Sequence, residues 1–332
     1  MSRIDKALII YHREDNDGVV SAAITWDYLK HHAGPFRYSI DMFPADYNKL
    51  KEMTFADIDE YRRVYDKLYL LDVSFNTLEM MKHIYDVFGE DFIWIDHHKP
   101  VIDASFEMGF SDARGYRNSD DCTIINAWRY FYDMSDETYR DKKFPELWRI
   151  LSAWDSWTYE REGYEKDYVY CVNKGVVECY NLDFVKMLEL VYKVHDDFNE
   201  GKTDFKLINY FFDCGHLIAD YEKKEYARLI AEYADEFTIG PDNRPAIALF
   251  KQGSSNSMMF ESCGDEIKSG IVFKRNKNGM WSINLYNIHD VVDGFHCGKY
   301  LKEMYDGGGH EGAAGCVVPE EKFMEILKTK HL

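Results

Sequence analysis

Residues 92–98 read Phe-Ile-Trp-Ile-Asp-His-His, an apolar run with strand character that ends on one carboxylate and two imidazoles. A strand of four or five apolar residues suits a sheet buried on both faces, and such strands deliver functional side chains at their carboxyl ends. Three polar groups at one edge imply a ligand. Pro100 lies two residues beyond the triplet, which predicts that Asp96, His97 and His98 open a loop.

Two earlier segments repeat the arrangement. Ala7-Leu-Ile-Ile-Tyr11 is an apolar strand followed by His12, Asp15, Asp17 and Gly18, and a helix is expected from Val19 to about His31. Its small residues Ser21, Ala22 and Ala23 favour close packing on a sheet. Asp15 and Asp17 lie two apart, so an extended loop would point both the same way, as metal ligands require; helix N-capping would account for one of them. Lys67-Leu-Tyr-Leu-Leu ends on Asp72 and precedes a helical stretch from Thr77 to Phe88, while Tyr38–Phe43 supplies a further strand. Strand, acid and helix in alternation predict a parallel α/β sheet with its polar groups gathered along one edge.

Further along, helices are expected at 121–132, with Ala127, Trp128 and Phe131 inward, and at 146–155. The second ends on Asp155, a carboxylate between Trp154 and Trp157 that needs a partner. Residues 183–237 read as long helices broken near Glu200-Gly-Lys202. Gly240–Pro245 marks a boundary, after which strands are expected at 246–250, 270–274 and 281–286. The expected organisation is an α/β catalytic domain with a parallel sheet over 1–185, a helical linker over 186–240, and a smaller α/β domain with a mixed sheet over 241–332. Near the end, Gly307-Gly308-Gly309-His310-Glu-Gly-Ala-Ala-Gly315 lets backbone amides approach a phosphate closely.

The 332 residues include 40 basic and 59 acidic side chains, a net charge of −19. That balance excludes strong binding to long duplex DNA, whose affinity comes from neutralised phosphates. A short anionic substrate held by metals fits it. The start of the chain has no apolar leader and no segment nears the roughly 18 apolar residues of a membrane span, so a cytoplasmic protein without a membrane partner is expected. Seven scattered cysteines with no C-x-x-C pair read as reduced thiols.

Taken in order, the Asp-x-Asp-Gly motif, Asp72 in Leu-Asp-Val-Ser, the Asp-His-His triplet, Asp155, the helical linker and the Gly-Gly-Gly-His-x-x-Ala-Ala-Gly segment resemble the DHH phosphoesterase superfamily. The likeness is to its branch with a C-terminal DHH-associated domain, and it covers nearly the whole chain. It implies two divalent metal ions, usually Mn²⁺: His12 and Asp15 on the first, Asp17, His97 and Asp155 on the second, Asp72 between them. Asp96 would orient the imidazoles and His98 would lie beside the scissile phosphate. Gly308, Gly309 and His310 would contact the substrate, with Arg275 and Asn287 as weaker candidates. One spacing departs from the family: His12 precedes Asp15 by three residues, where two or four is usual.

The branch includes nanoRNases, enzymes acting on 3′-phosphoadenosine 5′-phosphate, cyclic-dinucleotide phosphodiesterases and RecJ-type exonucleases. With its −19 charge and compact length, the chain is not expected to carry the basic, aromatic-lined groove that binds long single strands. The expectation is hydrolysis of short oligonucleotides or linear dinucleotides to nucleoside 5′-monophosphates; a homodimer is left open. The rival readings are the other two small substrates, a manganese pyrophosphatase, and a metal-dependent nucleotide-binding protein with a degraded site.

Overall fold

The computed structural model describes residues 4–34, 37–75, 77–133, 144–253, 255–288 and 294–332. The chain divides into two compact units, Met1–Leu217 and Ile218–Leu332. In the first, β1 (Asp5–His12) leads into α1 (Asn16–Asp27) and a π-helical turn (Tyr28–His32), then β2 (Tyr38–Ala45), α2 (Tyr47–Lys51) and α3 (Phe55–Val64). After these come β3 (Lys67–Leu71), α4 (Leu78–Phe88), β4 (Phe92–Ile95), α5 (Lys99–Met108), α6 (Thr123–Trp128) and a second π-helical turn (Arg129–Asp133). The helices α7 (Glu146–Asp155), α8 (Tyr159–Glu162), α9 (Lys166–Tyr180) and α10 (Phe184–Asn199) complete it, together with the first part of α11 (Phe205–Tyr233).

The strands form one parallel sheet in the order β2-β1-β3-β4. Having added β2 on one side of β1, the chain crosses over to add β3 on the other, so the β1–β3 boundary is the point where an open α/β sheet leaves a crevice for ligands. The period of two along each strand feeds two cores. Ala7, Ile9, Tyr11, Tyr69, Leu71, Ile93 and Ile95 pack on one face with α1 and the later helices. Leu8, Ile10, Leu68, Leu70, Phe92 and Trp94 pack on the other with residues of α3 and α4. Both faces are covered, which is why these strands read as unbroken apolar runs. Helix α1 is buried at every residue except Trp26, and Ser21, Ala22 and Ala23 are what let it lie that deep.

Several local expectations change. Pro100 does not open a loop: it sits in the first turn of α5, which begins at Lys99 directly after the triplet, a position where its missing N–H costs nothing. Asp17 is on the first turn of α1 instead of in an extended loop, and Asp15 is the cap. Helix α9 had no sequence forecast. It crosses α11 at very short range: a Cβ on Gly175 would meet the Phe211 carbonyl oxygen at 1.9 Å, and one on Gly215 the Cys171 oxygen at 1.8 Å. Helix α11 also ends sooner than expected, and residues 235–239 are a strand.

The second unit is built on a mixed six-stranded sheet, β5 (Asp235–Ile239), β6 (Arg244–Phe250), β7 (Ser269–Arg275), β8 (Trp281–Asn287), β9 (Gly308–Gly309) and β10 (Ala313–Val318), in the order β5-β6-β7-β8-β10-β9. Helices α12 (Cys297–Tyr305) and α13 (Glu320–Thr329) pack on it through Leu301, Phe323 and Ile326. No helix among the described residues is long and apolar enough to cross a membrane. The seven cysteines are free thiols, four of them buried.

At Gly18 a Cβ would lie 2.0 Å from the His12 carbonyl oxygen, so the start of α1 touches the end of β1 with no room to spare. Gly18→Ala is expected to cost about 2 kcal/mol or more of folding stability, read by denaturant titration. Unchanged stability would show that the two ends can separate freely.

Candidate metal centre

Every strand of this sheet except β2 ends within one or two residues of an acid or imidazole that faces the same crevice. His12 is the last residue of β1. Asp15 caps α1, its Oδ1 accepting from the Gly18 N–H at 2.9 Å, and its Oδ2 lies 2.9 Å from His12 Nδ1. One carboxylate thus caps the helix and meets the imidazole three residues before it. Asp72 follows β3 with φ of 55°, a left-handed conformation that Asp tolerates better than most residues. Its backbone N–H extends the ladder to Ile95 O, while its Oδ2 lies 3.5 Å from His12 Nδ1.

The second cluster centres on His97 Nε2, which lies 3.3 Å from Asp155 Oδ2, 3.4 Å from Asp72 Oδ1 and 3.6 Å from Asp17 Oδ2. Asp155 arrives as the last residue of α7. Asp17 is fixed from outside: the Thr123 and Ile124 N–H groups at the start of α6 donate to its two oxygens at 2.8 and 2.7 Å, and the Thr123 hydroxyl donates to Asp72 at 3.1 Å. Thr123 and Ile124 were not legible in the sequence, being more than 100 residues from Asp17 and signalled only as an ordinary helix start.

Asp96 faces the other way. Its Oδ1 accepts from the His97 and His98 N–H groups and from His98 Nδ1 at 2.7 Å, and its Oδ2 from Trp94 Nε1 at 2.9 Å. With every bond inside the protein, Asp96 orients the two histidines.

Burial, then the proximity of Asp72 and Asp155, pushes the Asp17 carboxyl well above the usual range. Burial likewise carries Asp155 up to about 7. For Asp72 burial acts upward too, but hydrogen bonds from His12 and His97 outweigh it and hold the group low. For His97 burial favours the neutral ring, yet Asp72, Asp155 and Asp17 raise its pKa well above normal; Asp15 and Asp72 do the same for His12.

The ion-pair partners of Asp17, Asp72 and Asp155 among the described residues are histidines; no lysine or arginine there balances them. The groups His12-Asp15-Asp72 and Asp17-Asp72-His97 each gather ligand atoms tightly enough for one ion, and they share Asp72. Carboxylate oxygens with imidazole nitrogens and no thiolate suit two adjoining divalent cations of the Mg²⁺ or Mn²⁺ type.

The remaining candidates lie in the second unit. Gly308 and Gly309 form β9, where Gly309 has φ of 143° and a Cβ would meet Ala313 O at 2.5 Å. His310 is exposed, its N–H donating to that same oxygen. Asn287 is buried beside this hairpin: its amide donates to Phe295 O and Glu311 O and accepts from Arg244 at 3.2 Å. Arg275 is exposed at the opposite end of the β7–β8 pair, so the structure does not bring it to the glycines.

The fold matches that of a DHH-type phosphoesterase. An exopolyphosphatase-related protein from Bacteroides fragilis matches at 15% identity and a TM-score of 0.52, over 98% of this chain and 91% of its own. RecJ from Thermus thermophilus, in complex with Mn²⁺, matches at 13% identity and a TM-score of 0.51; this chain covers 51% of its length. No protein family model and no curated protein matches the sequence.

The pKa shifts of the four groups act in one direction. Without metal, raised Asp17 and Asp155 destabilise once they must ionise, and raised His12 and His97 stabilise only while protonated, so both pairs favour the folded state at lower pH. Metal-free protein is therefore expected to lose thermal stability as pH rises from about 5 to about 8. Mn²⁺ affinity should run oppositely, gaining about tenfold per pH unit for each proton displaced. Calorimetric titration at several pH values, paired with melting in EDTA, checks both; a pH-independent Kd would show that these groups are not ligands.

Proposed function

We propose that the chain is a two-metal phosphoesterase acting on short oligonucleotides or linear dinucleotides and releasing nucleoside 5′-monophosphates. The observation that carries this reading is the pair of ligand groups sharing Asp72, buried at the switch point of the sheet and balanced by no lysine or arginine among the described residues. His12 and Asp15 would hold one cation, Asp17, His97 and Asp155 the other, and Asp72 both. When bound, the cations supply charge neutralisation at a phosphate and an acidified water. His98, held at Nδ1 by Asp96, presents Nε2 as the nitrogen to bind the phosphate or pass a proton to the leaving oxygen. Asp96 holds the His98 ring directly and the His97 backbone N–H beside it.

The net charge of −19 favours a substrate with few phosphates, engaged locally by metals, over a long polyanion. The hairpin at Gly308, Gly309 and His310, with backbone close to its neighbour strand, supports a phosphate- or nucleotide-contacting role for that segment.

Purified protein with Mn²⁺ is expected to cleave 5′-phosphorylated linear dinucleotides faster than cyclic dinucleotides, 3′-phosphoadenosine 5′-phosphate or pyrophosphate. Asp72→Ala should lower kcat by about three orders of magnitude or more. Turnover of one of the other substrates instead, still abolished by Asp72→Ala, would keep the metal centre and overturn the substrate. Mn²⁺ binding with no turnover of any of the four would overturn the catalytic reading.

A further inference from the structure

A second cluster of ligating side chains lies apart from the carboxylate edge. At the end of α1 the helix widens into the π turn Tyr28–His32, closed by the Ala33 N–H donating to Tyr28 O at 3.0 Å. In this widened turn His31 lies against the Asp27 carboxylate and His32 against the His195 ring. Asp27 is buried. Its Oδ1 accepts from His31 Nδ1 at 2.8 Å, and its Oδ2 from His195 Nδ1 at 3.0 Å and from the Tyr132 hydroxyl at 2.9 Å.

His195 is a buried residue of α10, and Tyr132 comes from the second π turn. His32 stacks on His195, ring centroids 5.2 Å apart and planes 27° from parallel. One ligand atom each from Asp27, His32 and His195 lies within 4.8 Å of the others.

We propose that Asp27, His32 and His195 bind a zinc-type divalent cation that ties the end of α1 to α10. Three imidazoles converge on this one carboxylate, and two of them lie ring over ring. A cation gives His32, His195 and Asp27 a common partner and relieves the stacking of two basic rings beside a single acid. Two imidazole nitrogens and one carboxylate oxygen are a recurrent Zn²⁺ donor set, completed by water. Tetrahedral ligands at about 2.0–2.1 Å stand about 3.3 Å apart. The 3.0 Å between Asp27 and His195 is already close to an edge of that figure. The Tyr132 hydroxyl and His31 hold the carboxylate in place, the usual outer support of a metal ligand. His32, exposed at the rim, gives the ion a path in. This site shares no residue with the edge centre and does not rest on the phosphoesterase reading.

The test counts zinc. Full-length protein is saturated with Zn²⁺, passed over a chelating resin and assayed by elemental analysis beside His32→Ala, which removes an exposed ligand and leaves the core intact. The wild type is expected to retain one equivalent more than the variant, and Co²⁺ in the same protein to show visible tetrahedral bands that His32→Ala abolishes. Should His32→Ala fold poorly, Tyr132→Phe serves: its Zn²⁺ affinity at this site should fall about tenfold or more. Mn²⁺-dependent turnover by His32→Ala should stay within about twofold of wild type, separating this site from the edge centre. Equal zinc counts in wild type and His32→Ala, or Co²⁺ bands that survive the substitution, would overturn the proposal.

Discussion

Three carboxylates lie within 3.6 Å of one imidazole nitrogen, His97 Nε2, in a crevice that keeps Asp17 and Asp72 almost fully from water. Such an assembly is costly, since His97 is the one imidazole ion-paired with Asp17 and Asp155 among the described residues and it shares Asp72 with His12 and His98. The rest of the first unit serves to hold it. A parallel sheet covered on both faces presents the ends of β1, β3 and β4 side by side; the start of α6 fixes Asp17 through two amides; a left-handed backbone turns Asp72 into the crevice; Asp96 locks the histidines from behind. The protein responds to the crowding unequally. Asp17 and Asp155 are driven toward their neutral forms while Asp72 stays ionised through its hydrogen bonds to His12 and His97. The one acid shared by both ligand groups is thus the one held charged.

Much of this was legible because the chemistry follows the strand period. Apolar runs that end on Asp72 or on Asp96-His97-His98 announce a parallel sheet and its functional edge at once, and the cap at Asp15 follows from ordinary helix initiation. What escaped depends on distance along the chain. Nothing local marks Thr123 and Ile124 as the anchors of Asp17, or Gly175 and Gly215 as the crossing of α9 and α11. Pro100 misled for a different reason: the residue that ends a strand also suits the first turn of a helix, and only the chain beyond decides. In the second unit β6, β7 and β8 were visible and β5, β9 and β10 were not, and the separation of Arg275 from the glycine hairpin is a matter of register. So is the role of Asn287, whose amide holds Phe295, Glu311 and Arg244 together.

The two sets of ligating groups in the first unit contrast in how the backbone supplies them. At the sheet edge the side chains come from several strand and helix ends, so the arrangement depends on the sheet as a whole. The cluster at Asp27 owes its shape to one irregular turn. A π turn contains one residue more than the α turn it replaces, and from that turn His31 meets Asp27 while His32 meets the His195 ring. Loss of a single codon within the turn would return the segment to regular α-helix and change how His31 and His32 stand to Asp27 and His195. Within one fold, the first set of side chains is tied to the ends of the strands, whereas the second hangs on the length of one helical turn.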